Sequence, residues 1–253
     1  MSLARDTWLV FGRYLWIFLR NPVWVIIRVI QPALYLVLFA PLLESISHVP
    51  GFPAGGAYNV FVPGLLIQLG LFGASGVGFG LIAELRSGVI ERLRVTPISR
   101  FALLLGRTLR DILIMVVQAL LLILMALPFG LSIHPLGIGL MLALLALLGL
   151  MMTPVSYALA LWLGDENSFA PLIFTATLPL LLLSGVLLPM TFAPDWLRAI
   201  AAANPLAYAV DASRAIFNDH LSDPSIGLAV AIMGILAAIA VSFAARAFGR
   251  AVA

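Results

Sequence analysis

Six long apolar stretches constrain the fold of this chain more than any other feature. They cover about residues 23–43, 58–83, 112–131, 136–163, 169–188 and 226–245, and each is bounded by proline, glycine or a charged residue. About eighteen consecutive apolar residues are enough to cross a bilayer as a helix. Charged residues make up only 10% of the chain, whereas soluble domains contain roughly 25%. The sequence therefore predicts an all-α membrane protein with six transmembrane helices, forming a single domain over residues 1–253.

The positions of the arginines predict the orientation of these spans. All fourteen basic residues are Arg. With six spans, eleven of them lie before span 1, between spans 2 and 3 (with the start of span 3) or in the C-terminal tail, while the opposite side has only Arg198 and Arg214. The remaining one, Arg28, lies just inside span 1. Arginine accumulates on the cytoplasmic side of membrane proteins. Both termini are therefore expected to be cytoplasmic.

Residues 1–22 have the pattern of an amphipathic helix that lies on the membrane surface. At about 100° per residue, the charged side chains share one arc: Arg5, Asp6, Arg13 and Arg20. Apolar residues fill the opposite side: Trp8, Phe11, Tyr14, Leu15, Phe18 and Leu19. This pattern predicts an interfacial helix on the cytoplasmic leaflet, which ends at Asn21-Pro22. The pattern fits equally an anchor and an element that transmits motion.

Several residue types that catalysis requires are missing from the chain. Without lysine there is no P-loop for ATP phosphates, and without cysteine there is no disulfide, thiolate nucleophile or cysteine–zinc site. His48, His134 and His220 fall in loops expected on the non-cytoplasmic side, outside any catalytic pattern. The sequence predicts a chain that is not an enzyme, has no catalytic residue, binds no metal or cofactor, and has no basic patch for nucleic acid.

The longest stretch expected in the cytoplasm covers about residues 84–111, and its first part, residues 84–100, holds a candidate docking segment. Its apolar positions share one helical face: Val89, Ile90 and Leu93. Thr96-Pro97 would end this short helix, and Ser99 can cap the next one. Such a helix suits docking into the groove of a partner, although a solvated loop of this charge is also common beside membrane spans. The candidate docking residues are Glu84, Arg86, Ser87, Gly88, Val89, Ile90, Glu91, Arg92, Leu93, Thr96 and Pro97.

The segment 184–224 is too apolar for an exposed loop and too often interrupted by proline for a span. Two short helices that dip into the outer leaflet fit it best, and Asp211 can pair with Arg214 at the i,i+3 spacing. The residues of interest in this re-entrant segment are Pro189, Trp196, Asn204, Pro205, Tyr208, Asp211 and Arg214.

Polar and small residues within the spans give two further expectations. Four polar side chains are candidates either for a transport path or for hydrogen bonds between helices: Gln31, Thr175, Thr177 and Ser184. Gly70, Ala74 and Gly78 form a small-residue face that permits close helix packing. Asp165-Glu166, between spans 4 and 5, has the composition of a plain cytoplasmic turn.

Three groups of residues carry a resemblance that covers nearly the whole chain. They are Arg20-Asn21-Pro22 before span 1; then Glu84, Arg86-Ser87-Gly88, Glu91-Arg92-Leu93 and Thr96-Pro97; and finally Ser184-Gly185, Pro189, Pro194, Trp196, Asn204-Pro205, Tyr208, Asp211 and Arg214. In this order, on a six-span frame, they resemble the membrane subunit of type-2 ABC exporters, close to the daunorubicin-resistance permeases.

This resemblance implies a specific assembly. Two permease copies, a homodimer or a heterodimer, would bind two cytosolic ATPase subunits that hold ATP and Mg²⁺. Residues 1–22 would be the connecting helix, residues 84–100 the coupling segment, and spans 1, 2 and 5 the walls of an outward path in the inner (plasma) membrane. The cargo would be an amphipathic drug or a lipid-like molecule. Export of lipooligosaccharide or polysaccharide is the nearest alternative, and a membrane enzyme or scaffold that works without ATP is a more distant one.

Overall fold

The computed structural model describes residues 3–23, isolated positions between 26 and 41, and residues 56–94, 98–186, 190 and 193–251. Helices account for nearly all of this part of the chain, and it contains no strand. The helices are α1 Leu3–Leu19, α2 Gly56–Ser75, α3 Val77–Arg86, α4 Val89–Arg94, α5 Arg100–Ala126, α6 Pro135–Leu163, α7 Glu166–Leu182, α8 Asp195–Ala201, α9 Pro205–Phe217 and α10 Pro224–Ala251.

Among the described residues, four helical stretches are long and apolar enough to cross a membrane. They are Tyr58–Arg86, Arg100–Phe129, Pro135–Leu163 and Pro224–Gly249. Helix α7, the predicted span 5, has 17 residues, and most of the predicted span 1 lies outside the described residues. The all-α membrane fold is therefore confirmed, while the total of six spans stays a prediction.

The predicted span 2 is one long helical stretch, Tyr58–Arg86, with one interruption. The chain turns at Gly76, between α2 and α3. The Ser156 hydroxyl of α6 donates to the Ser75 carbonyl at 2.6 Å and accepts from the Gly78 backbone N–H at 3.0 Å. These bonds satisfy backbone groups that the interruption leaves free, which lipid could not do. The interruption is therefore held by α6.

The small-residue face of α2 and α3 does permit close packing, as predicted. A Cβ added at Gly70 would lie 2.7 Å from Leu148 Cδ2, and one added at Gly78 would lie 2.3 Å from Phe169 Cζ. Ala74 on the same face is also buried. Helices α6 and α7 consequently approach closer here than any larger side chain would allow.

Two helix ends differ from the ends of the apolar stretches. The cap predicted at Ser99 is present, since its hydroxyl accepts from the Ala102 N–H at 3.0 Å, and α5 therefore begins at Arg100, before the apolar stretch of residues 112–131. Helix α7 ends at Leu182, not at residue 188, because the chain turns at Gly185 with a φ of +76°. Apolar composition alone does not register such a turn.

Helix α6 is the centre of the bundle. Helices α10, α5, α2 and α3 pack against it, and α1 lies along α5. The two helices approach closely at Gly106, since a Cβ there would lie 2.6 Å from Val10 Cγ1. Trp8 and Trp16 remain exposed on the other side of α1. The predicted amphipathic helix is thus fastened to the bundle by one face and presents indole rings on another.

Candidate coupling site

Polar side chains gather at the two ends of this apolar bundle. We call the end where α3 meets α5 the arginine-rich end, since it carries Arg86, Arg100, Arg107 and Arg110. The opposite end carries Asn59, Ser132, Asn204 and Arg214.

A buried guanidinium is at the centre of the arginine-rich end. The Arg107 side chain of α5 is only 2% exposed, and it donates both to the Glu84 carboxylate of α3 and to the Tyr14 hydroxyl of α1. The Tyr14 hydroxyl in turn donates to Glu84 Oε2 at 2.8 Å, and the guanidinium carbon lies 4.3 Å from the centre of the Tyr14 ring. One side chain therefore connects three helices.

The protonation of Tyr14 supports this arrangement. Burial raises the pKa of Tyr14 to about 12, against the opposing effect of the Arg107 charge. The phenol therefore keeps its proton at neutral pH, so that it can donate to the carboxylate of Glu84. We call Tyr14, Glu84 and Arg107 the ionic cluster.

A second set of contacts extends the ionic cluster to α6 and α10. Arg110 Nη1 lies 3.2 Å from Asp111 Oδ1, and the Tyr157 hydroxyl of α6 donates to the other oxygen of Asp111. The Tyr157 ring meets Phe248 of α10 edge to face, with 6.4 Å between ring centres. The arginine-rich end thus joins α1, α3, α5, α6 and α10.

The Asp165-Glu166 turn is more than the plain turn expected from sequence. Arg86, at the end of α3, lies 2.7 Å from Asp165 and 3.7 Å from Glu166. Asp165 also caps α7 by accepting from the Ser168 N–H at 3.0 Å. The end of α3 is therefore attached to the turn between α6 and α7, which composition could not reveal because the partners are 79 residues apart.

The structure turns the predicted docking face of residues 84–100 inward. Ile90 and Leu93 of α4 are 3% and 7% exposed, because they pack into the same apolar core as Leu81 and Leu104. Gly88 adopts a φ of +70° in the turn that aims α4 back at this core. Val89 packs at the edge of the core, and Ser87, Glu91 and Arg92 are exposed. Two of the three apolar residues of the predicted docking face are therefore buried within this chain, and docking of a partner on residues 84–97 stays a prediction. Thr96 and Pro97 lie outside the described residues.

The four candidate path residues do not share one surface. Gln31 and Thr175 are exposed, whereas Thr177 and Ser184 are buried within the chain. Thr175 belongs to an exposed, mostly apolar side of α7: Leu172, Phe174, Leu178 and Leu182. Thr177 and Ser184 therefore cannot line a path along that surface in this conformation.

The two short helices predicted between spans 5 and 6 are present as α8 and α9. Pro205 is the first residue of α9, and the Asn204 side chain caps it by accepting from the Leu206 N–H at 3.0 Å. The Tyr208 hydroxyl donates to the Ala202 carbonyl at 2.8 Å, and Trp196 is exposed. Pro189 lies outside the described residues.

The predicted pair of Asp211 and Arg214 is not formed. Arg214 Nη2 donates instead to the Gly185 carbonyl at 2.7 Å, and its Nε donates weakly to the Val60 carbonyl at 3.5 Å. Asp211, one turn earlier on α9, is exposed. The turn after α7 and the first turns of α2 place carbonyl oxygens closer to the guanidinium than the carboxylate.

Sequence reasoning missed most of the arginine-rich end. Tyr14, Arg107, Asp111 and Tyr157 were not singled out, although Arg107 and Asp111 stand at the i,i+4 spacing in a helix whose other residues are largely apolar. An ion-pair spacing inside an apolar helix was the available signal. Among the described residues, no group of three or more metal-binding side chains occurs.

Comparison with known proteins gives the relationship of the chain. The sequence pattern described as ABC-2 type transporter matches residues 5–218. The chain is 31% identical over 203 residues to the putative transport permease ycf38 of Porphyra purpurea, covering 79% of this chain and 69% of the relative. It is 25% identical over 228 residues to the daunorubicin resistance ABC transporter permease protein DrrB1 of Streptomyces coeruleorubidus, covering 86% and 77%. A probable doxorubicin resistance permease, DrrC of Mycobacterium tuberculosis, is 24% identical over 231 residues, covering 89% and 82%. This chain belongs to the ABC-2 type transporter family as a membrane permease subunit.

Proposed function

We propose that this chain is the membrane-spanning subunit of an ATP-driven exporter. In this proposal a separate ABC ATPase subunit binds ATP and Mg²⁺, and the permease moves an amphipathic drug or lipid-like molecule outward across the inner membrane. The names of the daunorubicin and doxorubicin resistance relatives support this class of cargo. The termini and the arginine-rich end would then be cytoplasmic, in agreement with the arginine distribution.

The observation that carries the proposal is the position of α4. This short helix is embedded by Ile90 and Leu93 in the chain's own core, while Glu91 and Arg92 project from it. The exposed charges can fix the position at which a docking protein binds α4. Because Ile90 and Leu93 are buried in the core, a displacement of α4 also displaces the helices packed around it.

The contacts at the arginine-rich end define which helices a displacement of α4 would reach. From α4 it reaches α3 through their common core, and from Glu84 it reaches α5 and α1 through Arg107. Arg86 carries it to the turn between α6 and α7 through Asp165. Closed ATPase subunits would thus displace several helix ends together rather than α4 alone.

Two copies of the chain would complete the transporter. The exposed side of α7 gives each copy an apolar surface for the other, centred on Phe174 and Leu178. We propose a homodimer in which the path runs between the two α7 helices. Pairs of cysteines can test this cleanly because the chain has none of its own. Thr175→Cys should crosslink two copies, and Ile235→Cys on exposed α10 should not.

Co-purification with the cognate ATPase tests the docking site. Glu91→Arg should remove the ATPase from the purified complex, since it reverses a charge at the proposed interface. Asp195→Arg is the matched control, because it makes the same change on an exposed short helix at the opposite end. Equal recovery of the ATPase with Glu91→Arg and with the parent chain would remove α4 from the interface.

A further inference from the structure

The end of α7 is interrupted and tightly held. After Leu182 the chain turns through Ser184 and Gly185, whose φ of +76° favours glycine. The Ser184 hydroxyl donates to the Leu181 carbonyl at 2.6 Å and accepts from the Val186 N–H at 3.3 Å. Side-chain bonds therefore replace the helical bonds that end here. Such a turn can move without breaking a continuous helix.

This turn lies close to α2 at Gly64. A Cβ added at Gly64 would lie 3.0 Å from the Val186 carbonyl oxygen, and Val186 is only 2% exposed. The closest atom is a backbone oxygen, and the Val186 side chain lies beside it, with Cγ1 3.5 Å from the added Cβ. Val186 belongs to the apolar core of the bundle, so it becomes exposed when the turn leaves α2.

Arg214 is the side chain that holds this contact together. From α9 it donates to Gly185 at 2.7 Å and, more weakly, to Val60 of α2 at 3.5 Å. It thereby ties the turn after α7 to the helix on which the turn rests. Asn204 keeps α9 in place by donating to the Leu180 carbonyl at 2.7 Å.

The partners of this guanidinium are unusual for a charged group. In the described part of the chain no carboxylate forms an ion pair with the Arg214 side chain, which donates to neutral carbonyls. Asp211 stands one turn earlier on the same helix, exposed and at a spacing that permits pairing. The Asp211 carboxylate is already close enough for its charge to act on Arg214, which makes it the alternative acceptor for the Nη2 donor that now binds the Gly185 carbonyl.

We propose that Arg214 is a positioning residue that acts as a latch for the outer end of the transport path. In the closed state it holds the Gly185 turn on α2. In the open state it exchanges Gly185 for Asp211, so that the turn and the end of α7 leave α2 and cargo can pass. A charged side chain that changes partners in this way makes a two-state element. This inference rests on the proposed function for its role in export, but the latch itself can be tested without any ATPase or cargo.

The absence of native cysteine allows a direct measurement. Val186→Cys places a small apolar thiol under the latch, where it can react only when the turn leaves α2. The rate of reaction with a water-soluble maleimide, in the purified permease in detergent without nucleotide, therefore reports the open fraction. In this background Arg214→Gln should increase the rate about tenfold, as expected for loss of a charged hydrogen bond. Arg214→Lys should lie between Arg214→Gln and the parent.

Two further variants make the test specific. Arg198→Gln removes the other arginine of the α8–α9 region and should leave the rate at the parent value. Asp211→Asn should slow the reaction by about twofold, because it removes the partner of the open state, and should have no effect when Arg214 is already Gln. A parent rate in Arg214→Gln overturns the latch, and an unchanged rate in Asp211→Asn overturns the exchange.

Variants that merely unfold are recognised by their melting temperature and by uniform reaction of a second buried reporter, Ala119→Cys in α5. Faster reaction at both reporters with Arg214→Gln also counts against the latch. Failure of the proposed function would appear separately, as an absence of ATPase binding with an intact response of Val186→Cys to Arg214→Gln.

Discussion

The two ends of the bundle are held together in different ways. At the arginine-rich end, charged side chains from separate helices bind one another: Glu84 and Arg107, or Arg86 and Asp165. At the opposite end, side chains mainly bind backbone carbonyls where helices begin or end, as Arg214 binds Gly185. Ion pairs between helices make the helix ends move together. Bonds to carbonyls at interruptions let one short piece of backbone move alone. In the proposed exporter, motion would enter at the first end as a displacement of whole helices and leave at the second as a local opening.

The largest effect is expected from the ionic cluster. Glu84→Gln keeps the shape of the side chain but leaves the buried Arg107 guanidinium without its counter-charge. Removal of one partner from a buried pair costs about 3 kcal/mol, so the melting temperature in detergent should fall clearly. Glu166→Gln, at an exposed glutamate in the same region, should leave it unchanged. Equal melting of Glu84→Gln and the parent would show that the cluster does not hold the arginine-rich end.

The packing between the two ends should be nearly as sensitive. Gly78→Ala places a methyl group 2.3 Å from Phe169 Cζ and 2.9 Å from the Ser156 carbonyl, and overpacking of this kind typically costs about 1–3 kcal/mol. Gly80→Ala is the matched control, since nothing lies within 4 Å of its added Cβ. Melting curves of the two variants should therefore separate, with Gly80→Ala at or above the parent. The reverse order would contradict the close approach of α3 to α7.

At the opposite end the hydrogen bonds should contribute less individually. The Asn59 amide donates to the Ser132 and Phe217 carbonyls, both at 3.2 Å, and joins three elements. Asn59→Ala should cost about 1–2 kcal/mol, as expected when buried groups lose their partners. Asn218→Ala removes only a local hydrogen bond to the backbone carbonyl of Arg214, four residues earlier, and should lower the stability less. If Asn59→Ala and Asn218→Ala have the same melting temperature, the Asn59 hydrogen bonds do not stabilise this end more than a local bond does.

The exposed pair of the arginine-rich end should have the smallest effect on stability. The side chains of Arg86 and Asp165 are 51% and 38% exposed, and exposed pairs contribute less than about 1 kcal/mol. Arg86→Gln should therefore melt within a degree or two of the parent in moderate salt. A loss as large as that of Glu84→Gln would remove the distinction between buried and exposed charges on which the comparison depends.

Local features of this fold could be predicted from the sequence, and long-range contacts could not. The helix of residues 1–22, the cap at Ser99 and the small residues Gly70 and Gly78 follow from short spacings that the chain itself displays. The ionic cluster joins residues 70 and 23 positions apart from Glu84, so no periodicity reveals it. Ile90 and Leu93 show the same limit. Their spacing predicts an apolar face, but the turn at Gly88 decides whether that face meets a partner or the chain's own core.

In the proposed exporter, displacement at the arginine-rich end opens the opposite end. The direct measurement is the reaction rate of Val186→Cys with a water-soluble maleimide in the assembled complex with the cognate ATPase, with and without ATP and vanadate. We predict that nucleotide increases the rate in the parent complex, and that Glu84→Gln abolishes this increase while the ATPase still co-purifies. If nucleotide does not change the rate in the parent complex, or raises it equally in Glu84→Gln, the two ends are not coupled through the ionic cluster.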